Sequence, residues 1–287
     1  MKADRPNSEL FSLLEPARLT AVVDIGANPI DGDPPYKGML AKGLCTLVGF
    51  EPLKAVHSAL DARKGPKETY LPYAVGDGQT HVLNVCRARG MTSLLKPDRN
   101  VLKHFREFSS WGEVVRQERL TTARLDDIKE IQDLDFLKID VQGSELSVFR
   151  GGHARLSTAV VVQTEVSFIC MYEEQPPFGA IDLELRGLGF VPHAFTEIRR
   201  RLILPFTNSS NPLAAMNQPI EADVVYVRDF TRANRMSDEQ LKHLALVAHH
   251  VYASFDLAAN CIHHLKNRKA VAADAMERYV SIVGKAR

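Results

Sequence analysis

Apolar and polar positions along the chain fall into two textures. Up to about residue 230, short β-branched runs bounded by Gly, Pro and Asp alternate with stretches of helical spacing; from about 236 only helical spacing remains. A helix over 8–19 leads into TAVVDIG (20–26), a buried strand ending in a carboxylate and a glycine. Helix-like sequence then leads to CTLVGFEP (45–52), a second strand closed by Pro52, and to a helix over 53–64 that stops near Gly65 and Pro66. TYLPYAVGD (69–77) reads as a third strand that turns at Gly76, Asp77 and Gly78 into the alternating run QTHVLNVCR. Residues 88–112 are irregular, and a loop this long inside a compact domain is more often functional than idle.

After GEVVRQERLTTARLDDI comes the clearest strand of the second half, LDFLKIDV (134–141), followed at once by QGSELSVFRGG. Ser144 is suited to cap the helix that follows, Glu145 to sit in its first turn, and Gly151 and Gly152 to end it. Next come AVVVQTEVSF (159–168), a helix near 178–187, GFVPHAF (189–195) and EADVVYVRDF (221–230). Strand and helix in alternation predict an α/β fold with a parallel sheet covered on both faces. Residues 1–230 would form that domain and 231–287 a C-terminal helical extension.

Composition narrows the classes. Hydrophobic residues make up 45% of the 287, ample for a filled core. The 36 Lys and Arg nearly cancel the 35 Asp and Glu, so no nucleic-acid partner is expected, since displacing counterions needs excess positive charge. No apolar run reaches the ~18–20 residues of a membrane span, and MKADRPNSEL lacks the apolar centre of a signal peptide. Cys45, Cys86, Cys170 and Cys261 are scattered without a C-x-x-C pair, which reads as buried free thiols and a cytoplasmic location.

The chemistry gathers at strand ends. A strand ending in Asp24 and followed by Gly26 puts a carboxylate and bare backbone at the carboxyl edge of the sheet, where open α/β sheets bind ligands. Glu51 closes the neighbouring strand, and its two oxygens suit the two hydroxyls of a ribose. A dinucleotide site would want G-x-G-x-x-G, whose amides cradle a pyrophosphate. Here Pro29 removes an amide donor, and Asp31 and Asp33 would repel phosphate. S-adenosylmethionine, with its cationic sulfonium and ammonium, fits an acidic, amide-poor loop better than a nicotinamide dinucleotide does. Asp77, after the third strand, would meet an adenine amino group or else simply form a turn.

Asp140 closes the fourth strand and should face the same cleft. Glu165, near the end of the fifth, is a second candidate acid, and Glu145 a third unless it serves only the helix end. His153 and His193 are weaker candidates, and His249 with His250 and His263 with His264 read as solvated helix faces with no metal site. Residues 33–36 spell the D-P-P-Y signature of adenine amino-methyltransferases, but after the first strand instead of the fourth, which favours coincidence.

The order DIGAN, FEP, TTARLDD, LDFLKIDVQGSELSVFRGG, TEVSF and GLGF resembles the FkbM family of S-adenosylmethionine-dependent methyltransferases over roughly residues 20–228, most specifically at 134–152. The resemblance implies a Rossmann-like class I methyltransferase fold: a seven-stranded, mostly parallel sheet, helices on both faces, the last strand antiparallel. It implies methyl transfer, typically to a hydroxyl of a sugar or other natural product. Carried onto this chain, it gives Asp24, Gly26 and Asn28 the first motif, Glu51 the ribose and Asp140 the fourth-strand acid. Two positions depart: Pro29, opening an added PIDGDPPY segment, replaces a Gly, and Gln142 replaces a Glu.

These readings predict S-adenosylmethionine as cofactor, bound by Asp24, Gly26, Asn28, Glu51, Asp77 and Asp140. A hydroxyl acceptor calls for a general base, for which Asp140 and Glu165 are the candidates. The acceptor would be a glycan or small molecule, chosen by 88–112 and the 196–219 connection. There Arg199, Arg200 and Arg201 would meet an anion or line a solvated strand edge. The C-terminal helices should pack on the core or on a second copy as a homodimer. The alternatives are a scaffold that has lost the cofactor through the Pro29 departure, or an amino-methyltransferase using Asp33 to Tyr36.

Overall fold

The computed structural model describes residues 8–28, 32–208, 210–211 and 213–286. Its strands are β1 (Thr20–Ile25), β2 (Cys45–Phe50), β3 (Glu68–Leu71), β4 (Ala74–Gly76), β5 (Thr80–Cys86), β6 (Val114–Arg124), β7 (Phe136–Ile139), β8 (Val161–Ser167), β9 (Phe190–Arg200) and β10 (Pro219–Arg228). Seven of them form one sheet in the order β3-β2-β1-β7-β8-β10-β9. The first five of that row run parallel, and β10 is antiparallel to both its neighbours. This is the Rossmann-like, seven-stranded and mostly parallel sheet that the sequence leads one to expect. The order reverses between β1 and β7, so connections leave that point in opposite directions and open a crevice above it.

Every residue of β1 is buried, as a central strand covered on both faces requires. Val22, Leu47, Phe136, Val161 and Val225 face one side, against the helices Glu9–Leu14, Asp238–His250 and Phe255–Asn267. Val23, Ile25, Leu137, Ile139 and Val162 face the other, against Glu145–Arg150, His153–Thr158 and Phe178–Gly187. Residues 238–286 therefore pack, with Glu9–Leu14, on one face of the sheet and share its core. A capping box at Ser237 and Gln240 starts the first of these helices. The last, Ala275–Ala286, adds Ala275 and Tyr279 to the same core.

Several expectations shift. The single strand over 69–77 is two: Pro72, without an amide hydrogen, stands at the break between β3 in the main sheet and β4 in a second, three-stranded sheet, β4-β6-β5. β6 is the longest partner there and carried little apolar signal, because most of its side chains meet solvent. β9 runs five residues past Phe195 through the polar TEIRR, which an edge strand tolerates. Ser144 makes no capping bond; its Oγ is buried without a partner, while Glu145 Oε1 accepts from the amides of Val141 and Gly143, 3.1 Å each. His249 and His250, expected on a solvated face, turn inward: His250 bonds Ser8 at 3.0 Å, and burial lowers its pKa to about 3, with His249 adding to the effect.

Candidate active site

Gly26 sets the floor of the crevice. It takes φ +81°, and a Cβ there would lie 2.0 Å from the carbonyl oxygen of Asp140. The β1–β7 pairing that brings Asp140 N to Ile25 O at 3.0 Å enforces this approach, so the position needs a residue with no side chain. Around it a cleft encloses about 860 Å³, open mouth included, lined by Gly26, Asn28, Glu51, Tyr73, Asp140 and Gln142 among others. The first turn of the irregular 88–112 segment supplies Arg89, Thr92 and Ser93 to its rim.

Glu51 is only 4% exposed. Its Oε1 accepts from Leu53 N at 2.7 Å and Oε2 has no hydrogen bond among the described residues. Burial raises its pKa, against the opposing pull of the Leu53 amide and His57. Asp140 shows Oδ1 to the Nε2 of Gln142 at 2.8 Å, again with the second oxygen unused among the described residues. Both acids line the cleft.

Asp24 does not. Its carboxylate is 2% exposed and turned behind the cleft, where Tyr36 donates to Oδ2 at 2.6 Å and Lys138 Nζ stands 3.5 Å from Oδ1. Burial disfavours the Lys138 charge, but Asp24, Asp140 and Asp223 around it outweigh that and raise its pKa. The sequence pattern gave no reason to expect Lys138, because a lysine inside an apolar run reads as an interruption. The alternation of β1 decides the matter: Ile25 points to one face of the sheet and Asp24 to the other. Tyr36 explains the D-P-P-Y stretch, since it is 2% exposed and packs edge-on against Phe136. Pro29 and Asp31 lie outside the described residues; Asp33 is exposed and pairs with Lys37 at 2.6 Å. Tyr36→Phe is expected to cost about 1–3 kcal/mol by leaving a buried carboxylate short of a donor, measured as a lower urea midpoint with an unchanged slope.

Asp77 also falls outside the cleft lining. It sits in the β4–β5 turn, accepting from Gln79 N at 2.9 Å, His81 at 2.8 Å and Thr122 at 3.1 Å. A turn-forming Asp before a glycine explains it fully.

Glu165 stands one layer behind the cleft wall. Gln142 Nε2 reaches it at 3.2 Å, Arg199 pairs with it at 2.8 Å, and the same guanidinium pairs with Glu221 at 3.2 Å. Tyr172 donates to Gln142 Oε1 at 3.1 Å. Burial, then Glu221, Asp140 and Glu145, push the Glu165 pKa well up against Arg199; burial also raises that of Glu221. Glu145 is pushed up to about 7, chiefly by burial. Arg199 is thus drawn inward, unlike the solvated edge expected of the basic triplet. Gln142 holds φ +56° and joins Asp140, Glu165 and Tyr172 through one amide. Sequence reasoning missed this hub, having read Gln142 only as a departure. Of the weaker candidates, His153 pairs at the surface with Glu184 at 2.9 Å, and His193 bonds Ser254 at 2.7 Å.

A mostly parallel sheet with a glycine floor and acids at its crevice suits a nucleoside cofactor, and the family comparison gives the class. The family model of the methyltransferase FkbM domain matches residues 24–192, more than half of the chain, so this chain belongs to that family. The family is S-adenosylmethionine-dependent. No curated protein matches the chain. Among solved structures it is similar to magnesium protoporphyrin IX methyltransferase (ChlM) from Synechocystis PCC 6803 with bound cofactor, at 10% identity over 73% of this chain and 70% of that one, with a TM-score of 0.37. It is also similar to precorrin-6y C5,15-methyltransferase from Geobacter metallireducens GS-15, at 10% identity over 79% and 93% of the two chains, with a TM-score of 0.34.

The cleft residues fit this cofactor. An acid with a free oxygen closes β2, a second faces the cleft after β7, and Gly26 keeps the space above β1 open.

Proposed function

We propose that this methyltransferase acts on a hydroxyl of a sugar or other small molecule. Glu51 would hold the ribose hydroxyls through its unused oxygen, with Gly26 and Asn28 lining the floor. When bound, S-adenosylmethionine supplies a methyl group on a cationic sulfur. Asp140 carries the reading, because it is the carboxylate that faces the cleft with one oxygen fixed by Gln142 and the other free. It would accept the acceptor's proton as the oxygen attacks, which a hydroxyl of high pKa requires. Glu165 and Arg199 position that wall through Gln142 and do not reach the cleft lining themselves. Arg89 and Thr92 among the lining residues offer polar groups to a hydroxylated acceptor.

Tyr36, spent on Asp24, supports this over transfer to an adenine amine. Four cysteines without a disulfide support a cytoplasmic setting. Among the described residues no helix is long and apolar enough to cross a membrane.

The reading is tested with a panel of sugars, phenols, amines and carboxylates, following formation of S-adenosylhomocysteine. Asp140→Asn is expected to lower kcat about 100-fold while S-adenosylhomocysteine binding changes little. Glu51→Gln should weaken that binding about tenfold or more, the loss of one charge-assisted pair. Methylation confined to amines or carboxylates would overturn the hydroxyl assignment. An unchanged melting temperature with saturating cofactor would instead favour a scaffold.

A further inference from the structure

The β9–β10 connection stands at the same carboxyl edge of the sheet as the cleft, because β9 runs parallel to β8 and ends there. Residues 202–220 contain no charged side chain. Within them Ile203, Phe206, Leu213 and Met216 are 51, 65, 47 and 61% exposed, more large apolar exposure than any other stretch of the described residues. The connection is held in place: Leu204 N donates to His104 O at 2.9 Å, Arg106 to Asn208 O at 2.7 Å, and Leu202 N to Ala214 O at 3.1 Å. Apolar side chains gathered in this way on a built surface mark an interaction site.

Charge around the patch says what it meets. Lys103 and Arg200 flank it, both exposed and neither with a carboxylate within 4.0 Å among the described residues, while Arg201 turns in over the Phe108 ring at 5.8 Å. Of the acids close in sequence to the patch, Glu107 pairs with Arg106 at 3.4 Å, and Glu197 and Glu221 pair with Arg199 at 3.1 and 3.2 Å. Unpaired cations around an apolar tip supply the two signals that hold a protein on a bilayer, insertion below the head groups and attraction to anionic lipid. A second copy fits less well, since a two-fold contact would set these cations against their own equivalents.

We propose that this connection docks the enzyme on an anionic membrane surface, with the cleft edge turned toward the head groups. The inference is independent of which group is methylated. The full chain is sedimented with vesicles of phosphatidylcholine, and with vesicles in which about one-third is replaced by phosphatidylglycerol. Binding should favour the anionic vesicles about tenfold and fall as salt is raised. The double variant Phe206→Ser, Met216→Ser should lose about tenfold, and Lys103→Glu with Arg200→Glu about fivefold per charge. Both variants should keep the parent's melting temperature, as substitutions of exposed side chains do. Equal sedimentation of parent and double variant, or no preference for anionic lipid, overturns the proposal. A concentration-dependent dimer that the double variant abolishes overturns it too, in favour of a second copy.

Discussion

Gly26→Ala should weaken cofactor binding strongly and leave a markedly weaker fold. Two costs act together. A left-handed φ of +81° is uphill for any residue with a Cβ, by about 1–2 kcal/mol. The Cβ would also stand 2.0 Å from the backbone oxygen of Asp140, and backbone cannot swing aside as a side-chain tip can. Relief requires β1 and β7 to part at their carboxyl ends, which moves Asp140 and the cleft floor. Together these should cost roughly 3 kcal/mol or more. Calorimetric titration with S-adenosylhomocysteine should show affinity reduced by about 100-fold. Retained affinity within a few-fold of the parent would mean that the floor of the cleft is elsewhere.

Arg199→Met should be the most pH-sensitive substitution. It leaves Glu165 and Glu221 buried against each other without their shared cation, a loss of about 3–5 kcal/mol at neutral pH. Both carboxyls already have folded-state pKa values raised above the ordinary range, first by burial. Their protonated forms are therefore favoured in the native state. Stability linked to them is fully present below the unfolded pKa of about 4.3 and is lost as pH rises through the folded values. Removing Arg199 raises those values further, so the deficit should be large at pH 7 and shrink toward pH 5. Urea unfolding at several pH values measures it. A deficit that does not change with pH would show that the guanidinium contributes packing and not charge.

The sheet was legible because its central strands are buried on both faces: TAVVDI, DFLKI and the AVVV that leads into β8 stand out as short, mostly apolar runs. The acids that end β2 and β7 were legible for the same reason, since a carboxylate closing such a run has few structural uses. Side-chain direction was not. Asp24 and Glu51 look equivalent as strand-terminal acids, yet the pleat turns one to Tyr36 and Lys138 and leaves the other in the cleft. Long-range partners were equally hidden. Arg199 meets Glu165 across 34 positions of sequence, and Gln142 meets Tyr172 across 30. No local spacing encodes those contacts; they follow from β8, β10 and β9 lying side by side. Asp77, also at a strand end, lies in the β4–β5 turn outside the cleft lining, where the turn alternative accounts for its contacts.

The stretch that the family shares, residues 24–192, stops inside β9 and leaves out β10. Yet β10 lies between β8 and β9, so excising the shared stretch would strip β9 of the neighbour that holds it. It would also cut β1 after Val23, removing Val22, and uncover Leu47 and Phe136, which the three closing helices shield. The stretch recognised by similarity and the packed unit are thus different objects in this chain. Anyone trimming it for expression should cut by the second, at the outer ends of the helices, and not by the first.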